Sequence, residues 1–420
     1  MNLRIFIFMS IVQRRLTVLL VAISASFAMA SPASLAFAQD APLSRTGSEN
    51  STTSAQTSDE GQYSSSEVPF DARKSTIGTG KEHDNFIAPF FETLAQPRLA
   101  PVGSNDWECQ PSAEHPNPVV LIHGTFENAY DNWAAMAPAL KRDGYCVFAP
   151  NVGRVGFLAQ GGVTPLVPNT NGLGQVQRSA EQISKFVDEV LEATDASQVD
   201  LVGHSQGGIM ARYYAQFLGG TDTADPSRNR VGKIIGLGAP NGGTTLSGWG
   251  DLGADGVDVE GSLADENGGT IGSTSGSLED PLNWVNDLAG ITETQRVELK
   301  KWIIGWAVAQ QVTGSDLMAK LDEEGETRPG VDYTMIATEF DNLATPYERT
   351  FLTAGPGATV KNVTLQDGCD QDKSSHVSMP YSVRAIDYVR NALDPLTVPD
   401  SAIRCEPHAG ALGFSVRSLV

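Results

Sequence analysis

Apolar and polar positions alternate along the chain on two scales. Short apolar runs recur at 118–122, 145–149, 199–202, 231–237, 333–338 and 359–365, and they read as strands. The run 118–122 is continuously apolar, as a parallel sheet covered on both faces requires. Between the runs lie stretches with apolar residues at helical spacing. Residues 131–142 place Trp133, Met136 and Leu140 on one stripe and stop at Gly144. Residues 179–194 repeat Ile183, Phe186, Val187, Val190 and Leu191, and 381–393 turn Val383, Ile386, Val389 and Leu393 to one side. A helix-like stretch from Ile209 to about Leu218 follows the third run. This alternation predicts a mostly parallel central sheet joined by right-handed crossovers, with helices on both faces: an α/β fold. No period of 20–50 residues recurs, which excludes a repeat protein. Residues 86–107 read as an irregular lead-in and 151–174 as a loop.

Three segments depart from the pattern. Residues 1–38 carry Arg4, Arg14 and Arg15, no acid, an apolar core at 16–30 and the small residues Ala36-Phe37-Ala38. They read as an export signal, the ordinary kind rather than a twin-arginine one, with a core too short to span a membrane. Residues 39–84 are rich in Ser, Thr, Gln and acids and read as a disordered spacer, so the folded domain is expected at 85–420. Residues 246–278 are rich in Gly, Asp and Ser. Asp251, Asp255, Asp258, Glu260, Asp265 and Glu266 do not follow calcium-loop spacing, so a solvated insertion is expected and no metal. Residues 281–312 then bring Trp284, Trp302, Ile303, Ile304 and Trp306. The whole insertion, about 246–315, is expected to form a helical cap beside the sheet.

Composition narrows the partners. A net charge of -21 opposes nucleic acid and anionic membranes, which would repel such a chain. The 4 cysteines suit an exported protein with two disulfides, although Cys109, Cys146, Cys369 and Cys405 allow three connectivities. Nearest-neighbour pairing, Cys109–Cys146 and Cys369–Cys405, closes two loops of similar size. No C-x-x-C pair is present, which argues against metal ligation.

The chemistry centres on Gly203-His204-Ser205-Gln206-Gly207, set between an apolar strand and a helix. A serine in a sharp strand-to-helix turn needs small neighbours two positions away on each side, and the turn lifts its Oγ above the sheet. Glycine and serine alone are weak evidence, but the strand, the helix and the upstream His123-Gly124 turn make Ser205 the candidate nucleophile. Serine needs a base, normally a histidine held by a carboxylate, and in this architecture the chain order is Ser, acid, His. His83 and His115 precede the sheet, His123 and His204 belong to turns and are expected to pack or bond locally, and His408 lies in the tail. His376, in the loop before the last helix, is therefore the candidate base. Asp341 follows a strand directly and is the candidate acid, with Glu339 as runner-up. The oxyanion hole is expected from the backbone N–H of Gln206 and of Thr125, Phe126 being the alternative to Thr125.

Several motifs carry a resemblance. The segments at 118–126, 203–208, 237–244, 337–347 and 375–381 together resemble the secreted bacterial class 2 (EstA/LipB-like) triacylglycerol lipases, an α/β-hydrolase group similar to the yeast lipase B type. Gly238-Ala239-Pro240-Asn241-Gly242-Gly243-Thr244, Asp341-Asn342-Leu343-Ala344-Thr345-Pro346-Tyr347 and Gln310-Gln311-Val312-Thr313-Gly314-Ser315 are the more specific of these. The likeness covers roughly 85–407. The 246–278 insertion and the Ser-rich spacer have no counterpart in it. The resemblance implies an α/β-hydrolase fold and a carboxylic ester hydrolase, most simply a lipase. Its triad would be Ser205, Asp341 and His376, with Thr125 and Gln206 as oxyanion donors and the nearest-neighbour disulfides.

The expected partners are a lipid or ester small-molecule substrate and a transient lipid–water interface, with no nucleic acid and no cofactor, in a secreted monomer. Association with the cell envelope is the variant that a tethering spacer would give. Two other classes use the same scaffold: acyl transfer to cell-envelope lipids or sugars, and a non-catalytic surface-binding protein. Three triad residues together argue against the last.

Overall fold

Six strands form one all-parallel sheet in the order β2-β1-β3-β4-β5-β6. The structure is a computed structural model that describes residues 69–156, 168–246 and 305–410. The export signal, the spacer up to residue 68 and the insertion at 247–304 lie outside the described residues.

In chain order the elements are helix α1 (Ile87–Ala95), strand β1 (Val119–Ile122), helices α2 (Ala129–Trp133) and α3 (Met136–Arg142) and strand β2 (Val147–Phe148). There follow α4 (Val176–Thr194), β3 (Val199–His204), α5 (Gln206–Phe217), β4 (Val231–Leu237), α6 (Trp306–Gln310) and α7 (Asp316–Glu323). Strand β5 (Asp332–Ala337), strand β6 (Thr359–Thr364) and helix α8 (Val383–Leu393) complete the set.

Both faces of the sheet are covered, which is why its central strands read as continuous apolar runs. On one face Val120, Ile122, Leu201 and Ile234 meet Ile183, Phe186, Val187 and Val190 of α4 and Ile209 and Met210 of α5. On the other, Val119, Leu121, Val202, Ile235 and Leu237 meet Trp133 of α2, Met136 and Leu140 of α3 and Val389 of α8. Most of these side chains exclude solvent completely, so truncating any one to alanine costs about 2–5 kcal/mol. Strand β6, at the sheet edge, buries only Val363 and Thr364.

The structure refines several expected boundaries. The helix read at 131–142 is two helices: the side chain of Asn128 caps α2 in a reciprocal box with Asp131, and α3 starts afresh at Met136. The lead-in read as irregular contains α1, because Asn128 and Asn169 donate to Thr93 Oγ1 and Tyr130 donates to Glu92 Oε2 at 2.7 Å. Residues 69–84, assigned to the spacer, run along the domain instead. Ile77 N–H donates to Arg98 O at 2.5 Å and Gly80 N–H to Ala100 O at 2.8 Å.

The cysteines pair Cys109–Cys146 and Cys369–Cys405. Proximity makes that choice among the three connectivities. Asn105 N–H bonds Val147 O at 2.9 Å, bringing the first pair together beside β2, and Lys373 N–H bonds His408 O at 2.9 Å, bringing the tail to the second.

β1 is the point at which the strand order reverses, since β2 lies on one side of it and β3 on the other. In open parallel sheets, ligand crevices open outside the carboxyl ends of the strands at such a point.

Candidate active site

The carboxyl end of β3 runs directly into Ser205, which has φ 53° and ψ -126° and serves as the residue before α5. That backbone conformation is strained for a side-chain-bearing residue. It is imposed by close packing of the turn. A Cβ on Gly203 would stand 2.4 Å from Gly207 C, and one on Gly207 would stand 2.1 Å from Ile122 O. Ser205 N–H is anchored on Leu237 O at 2.8 Å, tying the turn to β4.

Asp341 follows β5. Its Oδ1 accepts from Leu343 N at 2.9 Å and Ala344 N at 2.7 Å, and its carboxylate meets His376 Nδ1 at 2.8 Å and 3.0 Å. Both side chains of this pair are withdrawn from solvent, at 0% for Asp341 and 4% for His376. Burial disfavours an imidazolium, but the Asp341 charge and hydrogen bond outweigh it, so the His376 pKa lies above the ordinary value. Glu339, the runner-up acid, makes no bond to His376; its N–H goes to Gln366 Oε1.

The sharp turn after β1 brings Gly124 against Ser205, for a Cβ there would lie 3.0 Å from Ser205 Cβ. Among the described residues nothing accepts from the backbone N–H of Thr125 or Gln206, whereas Phe126 N–H is engaged by Asn171 O at 2.9 Å. Of the Thr125 and Phe126 N–H groups, only that of Thr125 is left without an acceptor among the described residues. Its Oγ1 accepts from Gln311 Nε2 at 3.1 Å, which leaves the hydroxyl proton for another acceptor.

The motifs that looked distinctive in sequence meet one another here. Thr244 N–H bonds Gln311 O at 2.9 Å, Thr345 N–H bonds Thr244 Oγ1 at 3.0 Å, and Gly242 N–H bonds Arg349 O at 2.8 Å. They brace the loop that carries Asp341.

Two residues were not anticipated as partners of the site. Glu127 is buried after β1 and touches His204, and His204 reaches the backbone of His376. A glutamate in a loop gives no sequence signal of burial. Among the described residues no group of three or more His, Cys, Asp or Glu is placed to hold a metal ion.

Comparison with known proteins agrees with this architecture. A family model described as the alpha/beta hydrolase fold matches residues 117–251. A triacylglycerol lipase of Pseudarthrobacter phenanthrenivorans is 37% identical over 103 residues, covering 23% of this chain and 28% of its own length. One from Burkholderia plantarii is 37% identical over 103 residues, covering 23% of this chain and 25% of its own length. The chain therefore spans only about a quarter of the curated relatives it matches. Among solved structures, Aspergillus fumigatus lipase B superposes with a TM-score of 0.45 at 16% identity, over 79% of this chain and 68% of that one. A lipase-esterase related protein from Clostridium acetobutylicum gives 0.36 at 13% identity, over 67% and 96%. The chain has the α/β-hydrolase fold, and triacylglycerol lipases are its relatives over part of its length.

Proposed function

We propose that the protein is a serine carboxylic ester hydrolase, most specifically a triacylglycerol lipase of the class 2 (EstA/LipB-like) kind. The observation that carries this reading is that a strained Ser205 elbow, tied by its N–H to the end of β4, and a buried Asp341–His376 pair, packed against Gly238 just after β4, lie at the carboxyl ends of neighbouring strands together with two backbone N–H donors unengaged among the described residues. In the mechanism Ser205 Oγ attacks the ester carbonyl carbon while His376 Nε2 takes its proton. Asp341 holds Nδ1–H and stabilises the imidazolium. The carbonyl oxygen, now negative, is received by the N–H groups of Thr125 and Gln206. The tetrahedral intermediate expels the alcohol, which takes the proton from His376. Water then attacks the acyl-enzyme with the same histidine as base, releasing the carboxylic acid and restoring Ser205.

Lipid esters are the preferred substrate class because the curated relatives are named triacylglycerol lipases. Two disulfides favour a protein working outside the reducing cytosol, consistent with export. The test is hydrolysis of p-nitrophenyl esters from acetate to palmitate, beside a Ser205→Ala control. Activity abolished in the control and greatest at long chains supports a lipase. A short-chain optimum reduces the reading to an esterase, and absence of hydrolysis by the unaltered protein overturns it.

A further inference from the structure

Directly behind the nucleophile, the side chain of His204 joins three parts of the chain that are far apart in sequence. It is 1% exposed, so each of its ring nitrogens must be satisfied by protein. Nε2 lies 2.9 Å from the backbone oxygen of His376. A carbonyl only accepts, so Nε2 carries a proton and donates it. Nδ1 lies 2.9 Å from Glu127 Oε2 and 3.0 Å from the Asn132 amide. Both of those side chains are held in turn by Gly124 N–H, at 3.0 Å and 3.2 Å.

The result is a second imidazole–carboxylate pair packed beside the first. The His204 and His376 rings have centroids 5.0 Å apart. One pair grips the His376 ring at Nδ1 and the other grips its backbone. The His376 loop has no regular secondary structure of its own, so its carbonyl has no ladder to hold it. Glu127 and Asn132 fix the His204 ring, and Gly124 links them to the turn that carries Thr125. Burial raises the proton affinity of a carboxylate, yet the neighbouring His204 keeps that of Glu127 below the ordinary value.

We propose that His204, held by Glu127, is the positioning residue for His376, clamping its backbone so that the base keeps its place relative to Ser205 and Thr125. This rests on the ester-hydrolase reading for its catalytic consequence; the clamp itself does not. His204 touches no reacting atom, so its loss should act through geometry. A displacement of the base on the order of 1 Å lowers turnover roughly a hundredfold without weakening substrate binding.

The test compares His204→Phe, which keeps a ring but removes both nitrogens, with His204→Gln, which restores an amide donor, and with Glu127→Gln. Each is assayed for kcat and KM and examined by proton NMR for the His376 Nδ1–H resonance. The clamp predicts that His204→Phe, while folded, loses roughly ten- to a hundredfold in kcat with KM unchanged. Its Nδ1–H signal should be shifted or broadened, with partial recovery in His204→Gln. Glu127→Gln should fall between wild type and His204→Phe, and it remains a test if His204→Phe does not fold. Unchanged kcat and an unchanged resonance in folded variants, or an effect on KM alone, would overturn the proposal. If wild type shows no esterase activity, the function reading fails, while the resonance still decides whether His204 holds His376.

Discussion

The proposed nucleophile, Ser205, and the proposed base, His376, are built in opposite ways. Ser205 sits in a turn whose shape is determined locally: β3 enters, α5 leaves, and Gly203 and Gly207 allow the close approach that no side chain would. His376 sits in a loop with almost no local determinant. Thr338 Oγ1 holds Ser374 O at 2.6 Å, Phe340 bridges Ser375, and the tail bonds at Lys373 and Gln371 through His408. Below them the carboxylate of Asp372 accepts from Ser374 and Ser382, and Cys369–Cys405 ties the tail in place. A local turn survives as long as its strand and helix do. A loop assembled from remote contacts is the place where function should fail first.

The largest expected effect lies at the local end of this contrast. Ser205→Ala should remove about 10⁴-fold or more of the turnover while leaving the unfolding temperature close to wild type, since a hydroxyl without a structural bond is all that is lost. Retained turnover would place the nucleophile elsewhere.

Asp341→Asn comes next, with a loss of roughly 10³–10⁴-fold. It should also move the pH profile. His376 acts as a base only when neutral, and its pKa is raised above 6.5 chiefly by the Asp341 charge acting against burial. The acid limb of kcat/KM should therefore lie above pH 6.5 in the wild type and move lower in the variant. Stability runs the other way. A raised histidine pKa stabilises the fold fully below the unfolded value and loses that contribution as pH rises through the folded one. An acid limb that stays in place after Asp341→Asn would separate Asp341 from the base.

The two disulfides test the contrast between scaffold and loop. They span 37 and 36 residues, so the chain-entropy argument gives each a similar stabilisation, about 3–4 kcal/mol. Replacing Cys369 and Cys405 by serine should lower kcat by about tenfold in protein that is still folded, because the strap over the His376 loop is loosened. Replacing Cys109 and Cys146 should lower the melting temperature and leave kcat unchanged. Equal effects on kcat from both pairs would remove the distinction.

The smallest effect lies in the scaffold itself. Burial raises the Asp200 carboxyl pKa from 3.8 to about 7 despite nearby Lys233 and Asn117. The folded state thus binds the proton more tightly than the unfolded one, and stability declines as pH climbs from 3.8 to about 7. Asp200→Asn cannot ionise, so above pH 7 it should melt higher than wild type, by about 2–4 °C for each kcal/mol of the lost ionisation cost, with the gap closing in acid. Thermal melts across that range read the difference directly.

The same local-versus-remote contrast governs how much was legible in the sequence. The sheet, the elbow at Ser205 and the long helix α4 announce themselves through periodicity and two glycines, all short-range signals. The positions of Asp341 and His376 follow from chain order, and their side chains do meet. What was hidden depends on contacts between distant residues. Thr93 secures α1 only because Asn128 and Asn169 reach it, and the helix expected from residue 131 starts at Ala129 because the side chain of Asn128 caps its first turn. His204 was read as a locally bonded residue, yet its Nε2 crosses 172 positions to His376. The cysteine pairing, by contrast, is the nearest-neighbour one expected from the sequence.

The most direct test of the account is covalent labelling with an alkyl fluorophosphonate, followed by mapping of the modified peptide. The account predicts one adduct, on Ser205, with loss of esterase activity in step with labelling and no adduct in Ser205→Ala. Labelling at another serine, or full activity after Ser205 is modified, would contradict it.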